Sequence, residues 1–392
     1  MLEEIFQRWE LAFNEINLPE SYKTAAVTFK YTTGYGFDIE DYDDAKLISR
    51  SPLTDHHEND RHYTLYGFRE DGLPCYFSNS MFEGFFSYSA DCVESIEFNI
   101  NTHVPSKIKR ILFKDGKKIA LDALAINGGA SMLHGMSIAG TIERVKNNPH
   151  NFFARAERYG YINGRIEKAI CERSYAGMTR STFEKKYYYD ANDVLDEIKV
   201  FDSTTYISYV RLPDNYDKET ILENLAQGLA KTVVEKLVTE KIDLPLATVE
   251  LNYRYADNYF PIIATKSKHF KDTVVKNGSN IASEMFCSMS NLIEIEIGEI
   301  ERAFVQFEQI MKKTDDHNLG AKMLRRVACI LTQSKLLDKI PVSEEFIAYA
   351  IDHSIEGHED EDLHEILLEC GLAQKTLQSW IDNGWFDIEK PF

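Results

Sequence analysis

The chain has 392 residues, with 44 Lys plus Arg against 63 Asp plus Glu, a formal net charge of −19, and 44% hydrophobic residues. That length admits two or three domains at ~150 residues each, and that apolar fraction supplies cores, which excludes a disordered polymer. The charge argues against nucleic acid or an anionic membrane as a partner, because phosphate contacts need clustered Lys and Arg.

The acidic excess is uneven: residues 281–392 hold 22 acids and 10 bases. Six cysteines (Cys75, Cys92, Cys171, Cys287, Cys329, Cys370) show no CxxC spacing, the usage of reduced thiols in a cytoplasmic protein. Met1 to Phe6 lacks the basic and apolar blocks of a secretory signal.

In chain order, Leu2, Ile5, Phe6, Trp9, Phe13 and Ile16 recur at helical spacing up to Pro19. Val27, Phe29 and Tyr31 alternate as a strand, and 33–61 is polar and loop-like. From about His62 to Leu212 one β pattern is written twice, at 62–122 and 156–212. The first copy carries Tyr66-Gly67-Phe68, the turn Asp71-Gly72 and Tyr88; the second carries Tyr159-Gly160-Tyr161, Asn163-Gly164 and Tyr189. Asp-Gly and Asn-Gly favour the φ > 0 turns of hairpins, and Asp115-Gly116 adds a third. Between the copies, Ile119 to Ile142 carries a single charge, Asp122. Its Asn127-Gly128-Gly129, Gly135 and Gly140 breaks read as an internal small-residue loop, not a membrane span.

Asp217 caps an expected helix from Glu219 to about Lys241. Val249, Leu251 and Tyr253 then alternate with Glu250, Asn252 and Arg254, pairing with 259–265, so 213–270 is a helix-plus-hairpin unit. Ile293, Ile297, Ile300, Phe304, Phe307 and Met311 follow helical spacing. Further helices are expected at about 318–336, 343–354, 361–370 and 372–383, with Leu363, Ile366, Leu367 and Cys370 inward. The fold class is α+β: antiparallel meander sheets, duplicated, followed by a C-terminal α-helical region. The expected boundary is Val274 to Ser283, dividing 1–277 from 278–392.

Reactive groups are sparse. His56, His57 and His62 share an eight-residue loop with three carboxylates, but their spacing matches no standard metal site. His358, Asp362 and His364 fail the His-Glu-x-x-His zinc pattern, because position 362 is Asp. Gly135-Met136-Ser137-Ile138-Ala139 lies one residue from a serine-hydrolase elbow, yet no core strand is expected before it. Gly128, Gly129 and Gly140 fit no phosphate loop. No catalytic residue, metal or cofactor is assigned.

The Tyr187-to-Ile198 cadence (Tyr-x-Tyr-Asp, then Val194 and Ile198) is similar to the strand repeat of YD-type bacterial proteins. The whole chain resembles the acidic immunity partners of polymorphic toxins. The duplicated Tyr-Gly-Phe/Tyr hairpins, Thr248 to Tyr253 with Tyr259-Phe260-Pro261, and the acidic helical tail carry that resemblance. It implies a non-catalytic, inhibitory protein that binds a protein with a basic surface, and it brings no catalytic residue. The alternatives are a metal-dependent or serine hydrolase and a structural adaptor subunit. Between Pro341 and Cys370 stand ten acids and no Lys or Arg. Within that stretch Glu356, Glu359, Asp360, Glu361, Asp362 and Glu365 are the expected docking face for a basic partner.

Overall fold

In the computed structural model the described residues are 2–32, 37, 39, 53–56, 63–126, 135–147, 152–174, 180–242, 244–254, 258–278, 281–287, 291–314, 318–333, 340–353, 356 and 360–386. The chain divides into two compact units. The first is Met1–Leu212 with Lys312–Asp315, and the second is Pro213–Met311 with Asp316–Phe392.

The first unit opens with helices α1 (Leu2–Ala12) and α2 (Leu18–Ala25), followed by twelve strands. These are β1 (Thr28–Thr32), β2 (Thr64–Phe68), β3 (Pro74–Ser78), β4 (Phe82–Tyr88), β5 (Cys92–Asn99) and β6 (Pro105–Lys114). Then come β7 (Lys117–Ile126), β8 (Phe152–Ile162), β9 (Arg165–Ser174), β10 (Ser181–Tyr189), β11 (Leu195–Phe201) and β12 (Thr205–Val210). They form one antiparallel sheet in sequence order, so each strand pairs with its neighbours along the chain. The expected copies are therefore adjacent halves of a single meander. The Ile119–Ile142 segment was expected to be a loop, but its first part is central strand β7; its end enters helix α3 (Ile138–Asn147). Ala and Leu pack there on both faces of a buried strand, which hides the alternation.

Helix α1 lies on one face. Leu2, Ile5, Trp9 and Phe13 pack with Phe85, Ile96, Ile108, Leu124 and Ala154, a row drawn from β4 to β8. The Trp9 indole donates to the Pro105 carbonyl at 2.8 Å. The opposite face gathers Tyr66, Phe86, Val93, Ile111 and Leu121.

A hairpin module recurs three times. Gly72, Gly116 and Gly164 all have positive φ, and Asp115 and Asn163 share it, so the second and third turns have two left-handed residues. In each module a tyrosine from the next strand reaches past the last ladder pair. There it donates to the carbonyl two residues after the turn glycine: Tyr88 to Pro74 (2.8 Å), Tyr161 to Lys118 (2.9 Å) and Tyr189 to Ile166 (2.8 Å). A cation from the same turn covers each ring, namely Arg69, Lys117 and Arg165. The hydroxyl thus replaces the backbone donor that a longer strand would supply.

The second unit holds α4 (Lys218–Thr239), β13 (Leu246–Arg254), β14 (Asn258–Ser267), α5 (Lys268–Asn277), α6 (Ile281–Phe286), β15 (Leu292–Ile293), α7 (Glu301–Thr314) and α8 (Asn318–Gln333). After them come β16 (Val342–Ile351), α9 (Asp360–Glu369) and α10 (Gln374–Asp382). Asp217 caps α4 as expected, its side chain accepting from the Glu219 N–H.

Two expectations fail here. Residues 343–354 were read as helix, but 342–351 is strand β16, running parallel to β13. Its Ile347 to Ile351 are fully buried, and a parallel strand covered on both faces reads as an unbroken apolar run with no period of two. Residues 292–297 are not helix either: Leu292–Ile293 pairs with the β14 edge, and a 3-10 turn at Gly298–Ile300 leads into the α-helix that begins at Glu301. Because β16 completes the β13–β14 sheet, the expected boundary at 274–283 falls inside the second unit and the C-terminal region is not all-helical.

The outer edge of β16 is sealed by side chains. The Ala348 N–H donates to Thr332 Oγ1, the Ala350 N–H to the Cys370 sulfur and the Asp352 N–H to Glu356 Oε2. Those groups would otherwise template another strand.

If the tyrosine hydroxyls are the module's fastening, Tyr88→Phe and Tyr189→Phe should each lower stability by about 1 kcal/mol. Urea denaturation checks it; a loss in one variant only would show that the modules are not equivalent.

Candidate functional site

Each module carries one special position, four residues before its tyrosine: Gly84, Glu157 and Lys185. In the first module a Cβ at Gly84 would meet the Ile96 carbonyl at 2.2 Å and the Phe77 ring at 2.4 Å, so only glycine fits. In the next two modules the position bears opposite charges. Glu157 interrupts an apolar cross-strand row that runs Val93, Ile111, Leu121, Glu157, Cys171, Phe183.

Glu157 is 1% exposed. Its carboxylate accepts from Lys185 Nζ at 2.6 Å and from the Tyr159 hydroxyl at 2.7 Å, and Arg155 Nε lies at 3.3 Å. Burial alone would raise its pKa, but Lys185 and Arg155 outweigh that and hold the carboxyl below its ordinary value. Above this floor opens a cavity of about 260 Å³, walled by Phe153, Tyr159, Phe183, Tyr187, Tyr206 and Tyr209. Arg173 lines the same space; it donates to Ser181 Oγ at 3.1 Å and to Asp202, and its guanidinium stacks over Phe183. The Cys171 thiol beside Glu157 is pushed up to about 12 by burial and then by that carboxylate, so it is not a nucleophile at neutral pH.

A second buried polar cluster lies in the second unit. Glu250, which alternation placed outward, is 1% exposed because β16 and the helices cover both faces of β13. It accepts from the Tyr349 hydroxyl at 2.7 Å and meets His353 Nε2 at 2.7 Å. Lys266 donates to the Met285 carbonyl at 2.6 Å, and burial lowers its pKa. Every one of these groups is partnered, and the cluster fastens β13, β14, α6 and β16 together.

The sequence-selected residues are placed as follows. Glu356 is occupied: it accepts from Tyr253 (2.9 Å), from Arg325 (2.8 Å) and from the Asp352 N–H. Asp360 and Glu361 fall in the first turn of α9. Asp362 and Glu365 are exposed on that helix, and Glu359 lies outside the described residues. Two other acids of 341–370 are relieved from outside the stretch, Glu345 by Lys271 and Glu369 by Arg325.

His57, His62, His358, Gly128 and Gly129 also lie outside the described residues. His56 is exposed beside Asp55, which pairs with Lys30, and His364 packs edge-on against Phe386. Ser137 is the cap of α3: its Oγ accepts from the Gly140 N–H at 3.1 Å, so the elbow-like motif is a helix start. Among the described residues no three His, Cys, Asp or Glu side chains converge as a metal set. Sequence reasoning missed Glu157, Lys185 and Arg173. The one signal was a charge at the centre of each aromatic strand, and reading it requires the register.

Compared with known proteins, the chain matches no family model and no curated sequence.

Glu157→Gln keeps the shape but removes the buried charge that faces Lys185 and Arg155, and should cost about 3–5 kcal/mol in a denaturant melt. Because the folded carboxyl titrates below its ordinary value, its contribution is whole above the ordinary carboxylate range (~4.3) and is lost as pH falls through the folded value. Wild type should therefore lose more stability on acidification than Glu157→Gln does; parallel pH profiles would remove this role.

Proposed function

We propose that the chain is a non-catalytic binding protein that inhibits a protein partner, in the manner of the immunity proteins it resembles. The observation that carries this reading is the sheet cavity. Its ionic floor is already paired, its carboxylate is held ionised, its thiol is raised out of reach, and its walls are aromatic. Such a site is organised for recognition and offers no group poised to gain or lose a proton at neutral pH. The partner presents a basic surface to Asp362 and Glu365, exposed carboxylates of α9. The six free thiols fit a reducing cytoplasm.

The test uses affinity capture from source cells with the full chain, Ser208→Trp and Asp362→Asn/Glu365→Gln. Ser208 is exposed at the cavity on the last strand, so tryptophan there fills the site without touching the core. One protein should be retained by wild type and lost with Ser208→Trp. The double neutralisation should slow its association and flatten the salt dependence, since exposed charges are screened beyond ~8 Å at physiological salt. Equal retention by Ser208→Trp would remove the cavity from the function. An unchanged on-rate would reduce the acidic helix to a solubility device.

A further inference from the structure

We infer that the sheet cavity takes an aromatic monocarboxylate, a proposal that rests on reading the cavity as a recognition site. Arg173 supplies the anchor. Its Nε and Nη2 groups are held by Ser181 and Asp202, which fix the guanidinium plane, and the face of that plane lies over Phe183 at 5.1 Å. The Nη1 amino group of this cavity-lining residue carries none of those bonds. A planar guanidinium with a free edge matches a carboxylate, which accepts two parallel N–H bonds. The side chain is 35% exposed, so a guest reaches it without unfolding the strand.

The body of the guest follows from the walls. About 260 Å³ is roughly nine times the ~30 Å³ share of a liquid water, the size of a single substituted ring. Phe183, Tyr187 and Tyr206 offer ring faces and edges to it, and ring pairs prefer offset or edge-on contact. Ser208, also on the wall, donates to the Ile198 carbonyl at 3.3 Å, so its oxygen remains an acceptor and places a hydroxyl-bearing guest edge. The guest carries one charge and not two. Glu157 on the floor and Asp202 behind Arg173 repel a dianion such as a phosphate monoester more than a carboxylate.

Two sources share this chemistry, a free aromatic acid and the C-terminal aromatic residue of a protein partner. Isothermal titration of the full chain with benzoate, N-acetylphenylalanine and benzamide separates them. Saturable binding of benzoate, with benzamide about tenfold weaker or more, is the expected result for a free acid. Tighter binding of N-acetylphenylalanine than of benzoate assigns the cavity to a chain terminus. Arg173→Gln should abolish the preference for the acid over the amide. Arg173→Lys, which keeps the charge but not the fork, should weaken it by about tenfold.

Benzamide binding as well as benzoate would overturn the carboxylate assignment while leaving a recognition cavity in place. No saturation with any of the three overturns this inference by itself. The binding function is judged separately, by partner capture with Ser208→Trp. The acid-against-amide comparison on wild type needs no variant, so a misfolded Arg173→Gln does not blunt it.

Discussion

Register is the constraint on which the large sheet depends. A twelve-strand meander is joined mostly by short turns, and a slip of one residue in any strand pair turns every side chain of the shifted strand to the other face. Two buried carboxylates forbid that slip at the centre. On β7 Asp122 is fully buried and faces α1, bonded by Arg110 (3.0 Å) and Arg158 (2.6 Å), with Glu4 beside both cations. On β8 Glu157 faces the opposite side, because Leu121 pairs with Glu157 and Asp122 with Ala156. Shifting β8 by one residue would drive Glu157 towards the apolar pack of α1 and take it from Lys185. An unpaired buried charge costs several kcal/mol, whereas the intact pair gains little over an apolar one. These charges specify which sheet forms more than they strengthen it.

The second unit meets a related problem at the edge of its sheet. A parallel strand at a sheet edge leaves one row of N–H groups, and Thr332, Cys370 and Glu356 accept the three from Ala348, Ala350 and Asp352. The same Glu356 takes the Tyr253 hydroxyl and Arg325. A residue that looks in sequence like part of a solvated acidic run is thus a structural plug. Self-repulsion along 341–370 is real in the unfolded chain. In the fold it is relieved by Arg325 and Lys271, which come from other elements. The charge that stays exposed is a part of the stretch and not the whole of it.

Periodicity carried the sequence reading where one face of an element meets water. The opening helix, the meander strands, the Asp217 cap and the inward face of α9 are legible for that reason. It failed at β16 and at 292–297. In the first both faces are covered; in the second an isoleucine-rich edge satisfies period two and period three-to-four at once, and pairing with Ile263 decides. The cavity was not legible at all. Its floor joins Glu157 and Lys185 across an intervening strand, 28 positions apart in sequence. The module that aligns them has no fixed length, since its turn glycine and tyrosine are separated by 16, 45 and 25 residues. A search for regular repeats passes over such a unit.

Placing the modules on one another explains why the later half of the sheet has an open site. In the first module the cross-strand pair four residues before the tyrosine is Phe77 with Gly84, an aromatic ring lying on a glycine. The corresponding pairs are Leu121 with Glu157 and Ala169 with Lys185. The large group has moved to the other strand and become charged, and the ring that filled the space is gone. On the opposite face, Tyr76 with Phe85 is buried, with Tyr22 of α2 stacked on Phe85 at 4.6 Å. Its counterpart in the last module is Lys168 with Lys186, both half exposed. Like charges directly opposite on neighbouring strands weaken a sheet unless other groups relieve them, and Glu184 lies within 4 Å of both. The first module therefore closes both faces with rings, while the last replaces the same rings by lysines and small residues. That exchange removes apolar filling from one face, leaving the cavity, and leaves the other to water. Exchange at two cross-strand pairs is sufficient to turn a closed packing unit into one with an open cavity while its turn glycine and its tyrosine stay in place.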